Sequence, residues 1–64
     1  MYTIKTIEVE SRKVTKTLAF ASHEWAERAL SITIASDGFE PIFVGGKVTG
    51  YVNFNKGLEL HTNF

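Results

Sequence analysis

The sequence predicts a small α+β protein of element order ββαβββ, in which one helix packs on one face of an antiparallel sheet. Turn signals recur at three places, namely Ser11-Arg12, Gly45-Gly46 and Asn55-Lys56-Gly57. The segments beside each turn alternate apolar and polar residues, as half-buried strands do. Between the first two turns, residues 23–36 instead repeat apolar residues at helical spacing.

Residues 2–9 and 13–20 are predicted to form the first hairpin, with a four-residue loop from Glu10 to Lys13. The expected register places Lys5 opposite Leu18. It gathers five apolar side chains on one face, namely Ile7, Val9, Val14, Leu18 and Phe20. Lys5 and Lys16 fall on the same apolar face, where we expect their charged ends to reach solvent at the edges. The alternative is that they act as inward-pointing charges that discourage edge-to-edge pairing.

One helix is predicted from about His23 to Ser36. Ser22 is a favoured N-cap residue, and Gly38 suits the left-handed position that ends many helices. Trp25 lies on the apolar side of this helix. We interpret it as a core residue, with an anchor in a partner's pocket as the alternative.

Residues 39–44 and 47–54 are predicted to pair across Gly45-Gly46, because glycine readily adopts the positive φ angles of two-residue hairpin loops. Pro41 lacks an N–H group, which predicts an edge position for the first of these strands. The expected registers place Phe43 opposite Val48 and, across a three-residue loop Asn55-Lys56-Gly57 to the last strand, Phe54 opposite Leu58. The predicted core face comprises Phe39, Phe43, Val48, Val52, Phe54, Leu58, Leu60 and Phe64.

Length and composition restrict the classes of function. The 64 residues allow one domain, residues 1–64, and the absence of cysteine excludes disulfides and thiolate metal sites. Seven basic and seven acidic residues give no net charge, which disfavours nucleic acid as a partner. No apolar run approaches the ~20 residues that cross a bilayer, and the first residues lack a signal-peptide pattern. We therefore expect a cytoplasmic protein.

The chain contains no motif typical of catalysis or of ligand binding. His23 and His61 are isolated in the sequence, and we interpret both as surface residues. Glu8 and Glu10 share a solvated strand face in the expected register. The sequence therefore predicts no catalytic, cofactor-binding or metal-binding residues, and a protein that is not an enzyme.

Five apolar or aromatic residues fall on the predicted sheet face away from the helix, namely Tyr2, Ile4, Ile42, Val44 and Tyr51. If the two hairpins are neighbours, these residues form one exposed surface, and such surfaces usually bind partners. The alternative is that the hairpins curl round a single core and cover them. Tyr51 is the expected anchor of the surface, since tyrosine is enriched at binding hot spots.

The middle third of the chain resembles small phage-encoded accessory proteins that take over or inhibit host enzymes. The resemblance depends on Phe20-Ala21-Ser22, Glu24, Ala26, Ala29-Leu30, Ala35, Gly38-Phe39-Glu40 and Val44. Several such proteins consist of a hairpin, one helix and a returning strand, and they bind a host enzyme such as RNA polymerase. The resemblance implies a binding role and assigns no functional residue.

From these observations we expect a small protein-binding module, of the phage modulator type, that occludes a site on a larger host protein. Two alternatives stay open. The first is a single-stranded nucleic-acid binder that stacks bases on Tyr2 and Tyr51 beside the basic first hairpin. The second is a homodimer whose sheets meet face to face or edge to edge.

Overall fold

Five strands form one antiparallel sheet in the computed structural model, which describes residues 1–64. In chain order the elements are β1 (Tyr2–Glu8), β2 (Val14–Phe20), α1 (His23–Asp37), β3 (Glu40–Val44), β4 (Lys47–Asn53) and β5 (Leu58–Thr62). The strand order across the sheet is β2-β1-β5-β4-β3. The predicted order ββαβββ is confirmed, and so is the edge position that Pro41 predicts for β3.

Pairing of β1 with β5 joins the two ends of the chain at the centre of the sheet. Thr6 lies opposite Leu60, which is only 2% exposed. Beyond β5, the Asn63 side chain accepts a hydrogen bond from the Thr3 N–H at 2.7 Å and donates one to the Met1 carbonyl at 3.0 Å. The first and last strands are therefore held together by backbone and side-chain hydrogen bonds.

The core lies between this central pair of strands and α1. Its buried cluster consists of Ile4, Phe39 and Leu60. Partly buried side chains surround the cluster, namely Phe20, Ala29, Leu30, Ile34, Tyr51, Leu58 and Phe64. Ala26 is fully buried, and its small side chain lets α1 approach the sheet closely.

α1 begins after Ser22 and ends at Asp37, as its capping residues predict. The Ser22 hydroxyl oxygen accepts a hydrogen bond from the Trp25 backbone N–H at 3.4 Å. Gly38 has φ 74° and donates its N–H to the Ile34 carbonyl at 3.1 Å. Both predicted caps are confirmed.

The register predicted for the first hairpin is wrong by one residue. Ile4, rather than Lys5, lies opposite Leu18. The loop between the two strands contains five residues, 9–13, rather than the expected four. Within this loop Arg12 adopts φ 60°. The one-residue shift moves Lys5 to the face away from α1, and it places Ile4 in the core. Thr15 forms a bulge near the start of β2, because Val14 and Lys16 on either side of it pair with consecutive residues of β1.

The registers around β4 are correct at one end and wrong at the other. Gly45 and Gly46 have φ 58° and 80°, and Phe43 lies opposite Val48 as predicted. A bulge at Thr49 then changes the register along the rest of the strand, so that Ile42 lies opposite Gly50.

The loop from β4 to β5 contains four residues, 54–57, instead of the predicted three. Asn53 stabilises this connection, because its side chain donates to the Asp37 carbonyl and accepts from the Lys56 N–H. Asn53 therefore takes the position opposite Leu58 that was predicted for Phe54. Phe54 is left exposed in the loop, and its assignment to the core is wrong.

Candidate binding surfaces

The five residues predicted to share one surface do not lie together. Ile4 is in the core, and Tyr51 packs against that core on the side of α1. The Tyr2 ring contacts the His23 ring edge to face, with centroids 5.2 Å apart. Only Ile42 and Val44 remain on the face away from α1. The predicted common surface is therefore wrong, because the register shifts carried three of its members to the other face.

The same shifts remove the predicted stacking platform for single-stranded nucleic acid. Tyr2 and Tyr51 are both half-buried on the side of α1. Tyr2 also packs edge to face against Phe64, with centroids 6.1 Å apart. Bases need exposed aromatic faces on which to stack, and these two rings are packed against neighbours instead.

A groove of about 530 Å³ lies between α1 and β4. It forms because α1 packs mainly on β1 and β2 and leaves part of the β3–β4 hairpin uncovered. The apolar lining residues are Leu30, Val48, Tyr51 and Phe64, and the polar ones include Glu27, Ser31, Thr49 and Thr62. This volume lies in the range of ~300–1,000 Å³ that is typical of binding pockets.

Exposed apolar side chains continue from this groove to the edge of the sheet. Phe43 is 64% exposed, and Val48, directly opposite it, is 46% exposed. The sequence prediction placed both residues in the core, which is wrong. They were misassigned because the sequence gives no local signal of which strands α1 covers.

Trp25 is also exposed rather than buried in the core. Its side chain lies on the outside of α1, and the Arg28 guanidinium sits 5.0 Å from the ring centroid. This cation–π contact leaves most of the indole accessible to solvent. The prediction that Trp25 belongs to the core is wrong.

The face of the sheet away from α1 carries a charged cluster of Arg12, Glu59 and His61. His61 Nε2 lies 2.7 Å from Glu59 Oε1, and Arg12 Nη1 lies 3.1 Å from Glu59 Oε2. An ionised carboxylate only accepts hydrogen bonds, so both neighbours donate to it. The hydrogen bond from His61 holds the pKa of the Glu59 carboxyl below its ordinary value; partial burial opposes this shift and Arg12 supports it.

Gly50 makes room for this cluster. A Cβ atom at Gly50 would lie 3.0 Å from His61 Cε1 and 3.0 Å from the Leu60 carbonyl oxygen. The imidazole therefore lies across a strand position where only glycine fits without displacement. The sequence interpretation of His61 as an isolated surface residue missed its partner Glu59. The available signal was their i, i+2 spacing, which places both side chains on one face of a strand.

The structure contains no cluster of three or more His, Cys, Asp or Glu residues that could hold a metal ion. Its one helix is too short and too polar to cross a membrane.

The fold and its surfaces define a small α+β protein in which one helix leaves a groove of mixed polar and apolar lining on a five-stranded sheet. Comparisons with protein-family models, curated proteins and solved structures found no match to this chain.

Proposed function

We propose that this protein is a non-enzymatic binding module that acts in the cytoplasm and modulates a larger host protein, as the phage accessory proteins it resembles do. The groove between α1 and β4 is the proposed contact. The observation that carries the proposal is the exposure of Phe43 and Val48 beside the groove. Large apolar side chains that lie together at a surface usually mark an interaction site.

The chemistry of the groove indicates what it binds. Leu30 and Phe64 supply an apolar lining, which suits an aromatic or aliphatic anchor side chain. The Glu27 side chain lines the groove and is 62% exposed, so its carboxylate is able to pair with a cation from the partner in addition to His23, whose Nε2 lies 3.5 Å away. The proposed ligand is therefore a short segment with an apolar anchor next to Lys or Arg.

The small size of the protein supports inhibition by occlusion. A standard protein interface covers ~800 Å² on each partner, which is about a sixth of the 4487 Å² surface of this chain. Once anchored through the groove, the rest of the molecule would cover neighbouring surface on its partner. The surface area covered on the partner, rather than a chemical reaction, would then cause the inhibition.

Selection from a random peptide library on the immobilised protein tests this proposal. We expect enriched peptides to contain an apolar anchor beside a basic residue, and we expect Val48→Asp to weaken their binding at least ~10-fold in fluorescence anisotropy. The matched control is Val44→Asp, which places the same charge on the same hairpin but on the opposite face. Val44 is 62% exposed, so this control should fold normally and bind like the unmodified protein.

Equal binding of the enriched peptides to the Val48→Asp and unmodified proteins would show that the groove is not the contact. Failure to enrich any peptide would also contradict the proposal.

A further inference from the structure

The outer side of β2 has no neighbouring strand. All of its residues except Phe20 are exposed. An edge strand presents a row of unpaired N–H and C=O groups, which favours pairing with another strand. The bulge at Thr15 interrupts the start of β2, but the five residues from Lys16 to Phe20 pair regularly with β1. This regular segment contains neither proline nor glycine.

Two exposed apolar side chains lie on the side of α1 that is turned away from the groove. Trp25 and Ile32 are 61% and 60% exposed, and their spacing of seven residues places them on one stripe of the helix. The buried Ala26 lies between this stripe and the helix residues that line the groove. Because the groove faces β4, the stripe faces the opposite end of the sheet, where β2 is the edge strand. Leu18 of β2, on the side of α1, is also partly exposed.

The regular segment of β2 is complementary to a second copy of itself. In an antiparallel pair centred on Leu18, each Leu18 lies opposite the Leu18 of the other copy. Lys16 then lies opposite Phe20, and Thr17 lies opposite Ala19. Like charges are therefore not directly opposed, and the zero net charge of the chain produces no long-range repulsion between copies.

A two-fold axis through this pair satisfies the symmetry of most homodimers, in which both copies use the same surface. The axis runs perpendicular to the sheet, so both helices lie on one face of the joined sheet. Their stripes then face each other across the axis, above the two copies of Leu18. Backbone pairing and apolar contact thus come from one continuous surface.

We propose that this surface, formed by the outer edge of β2 together with Leu18, Trp25 and Ile32, binds a second copy of the chain. The resulting homodimer has a continuous sheet. The groove between α1 and β4 lies at the other end of each subunit and stays open. The inference is thus independent of the function proposed for that groove.

Sedimentation equilibrium over a range of concentrations tests the proposal. We expect a mass approaching twice the 7.2 kDa of one chain, and at least ~10-fold weaker association for Ile32→Glu. Val44→Glu is the matched control, because Val44 is equally exposed and lies in the other edge strand. It should associate like the unmodified protein. Circular dichroism confirms that each variant is folded.

The fluorescence of Trp25 gives an independent measurement, since it is the only tryptophan in the chain. Its emission should shift to shorter wavelength as the protein concentration rises, because the second copy removes water from the indole. Constant emission together with a monomer mass up to about 1 mM, where millimolar affinities are still detected, would overturn the proposal. Equal weakening by Ile32→Glu and Val44→Glu would also overturn it.

Discussion

The two edge strands of the sheet, β2 and β3, differ in the features that control pairing with another chain. β3 contains Pro41, whereas the regular part of β2, residues 16–20, contains no proline. Ile42 directs its carbonyl toward β4, where it lies 3.5 Å from the Thr49 hydroxyl, so the neighbouring Pro41 faces outward. The missing N–H of Pro41 is therefore at the exposed edge, where it hinders addition of a strand.

The helix makes the difference between the edges larger. The side of α1 turned away from the groove presents the exposed residues Trp25 and Ile32. On the side of β3, α1 is absent and leaves the groove beside β4. The comparison teaches that one off-centre helix gives two distinct surfaces, one suited to pairing strands and the other to holding a side chain.

The largest effect is expected from Leu60→Ala, which should disrupt both edges together. Leu60 lies on the central strand β5 and is almost fully buried. Its truncation should cost ~2–5 kcal/mol in the free energy of unfolding, measured by urea denaturation. Phe43→Ala is the control, because Phe43 is exposed and surface substitutions usually change stability by about 0.5 kcal/mol or less. Equal losses for the two variants would place Phe43 in the core.

An intermediate effect on stability is expected from the ion pair between Arg12, in the loop before β2, and Glu59, in the central strand β5. Glu59 has a lowered pKa in the folded protein, so its ionised form stabilises the fold. That stabilisation is present above the ordinary value of 4.5 and is lost as the pH falls through the lower pKa of the folded state. Arg12→Ala should raise the pKa of Glu59 and reduce the loss of stability between neutral and acidic pH.

NMR titration of the Glu59 carboxyl measures the change in its pKa. Thermal unfolding at neutral and at acidic pH measures the change in stability. Lys13→Ala is the matched control, since it removes a positive charge from the same loop without removing a hydrogen bond to Glu59. If the Lys13 variant shifts the titration of Glu59 as far as the Arg12 variant does, the specific contact is not the cause.

The smallest effect is expected from Pro41→Thr, which restores an N–H group at the β3 edge. Self-association should increase slightly in sedimentation experiments, because no apolar helix stripe supports pairing at this edge. The stability cost should be under about 1 kcal/mol, from the added freedom of the unfolded chain. If this variant associates through β3 as strongly as the protein is expected to associate through β2, backbone pairing alone is sufficient for association and the stripe of Trp25 and Ile32 contributes nothing.

Local features of the fold could be predicted from the sequence, including the pairing of Phe43 with Val48 beside the glycine turn, whereas the other registers could not. Gly45-Gly46, Ser22 and Gly38 were identified correctly because each acts within a few residues of itself. The first loop, by contrast, needs a positive φ at Arg12, a residue that gives no such signal. A single extra loop residue exchanges the faces of a strand, which is why Ile4 was predicted outside. The misfit of Lys5 on the predicted apolar face was the available warning.

The candidate surfaces were harder to predict because they depend on long-range pairing. The sequence indicates where each strand begins and ends, but not that β1 lies beside β5. That pairing determines which strands α1 covers and therefore whether Val48 is exposed. From the sequence one could expect only that some apolar strand residues would be exposed, since the strands contain more of them than one helix can cover.

The adjacency of β1 and β5 has a consequence for the order of events in folding. Each hairpin can form early because its contacts are local, but a two-stranded hairpin alone is marginally stable. The buried cluster needs Ile4 from the first strand and Leu60 from the last. The native core is therefore completed only when nearly the whole chain has come together, and the late closure of this large loop should limit the folding rate.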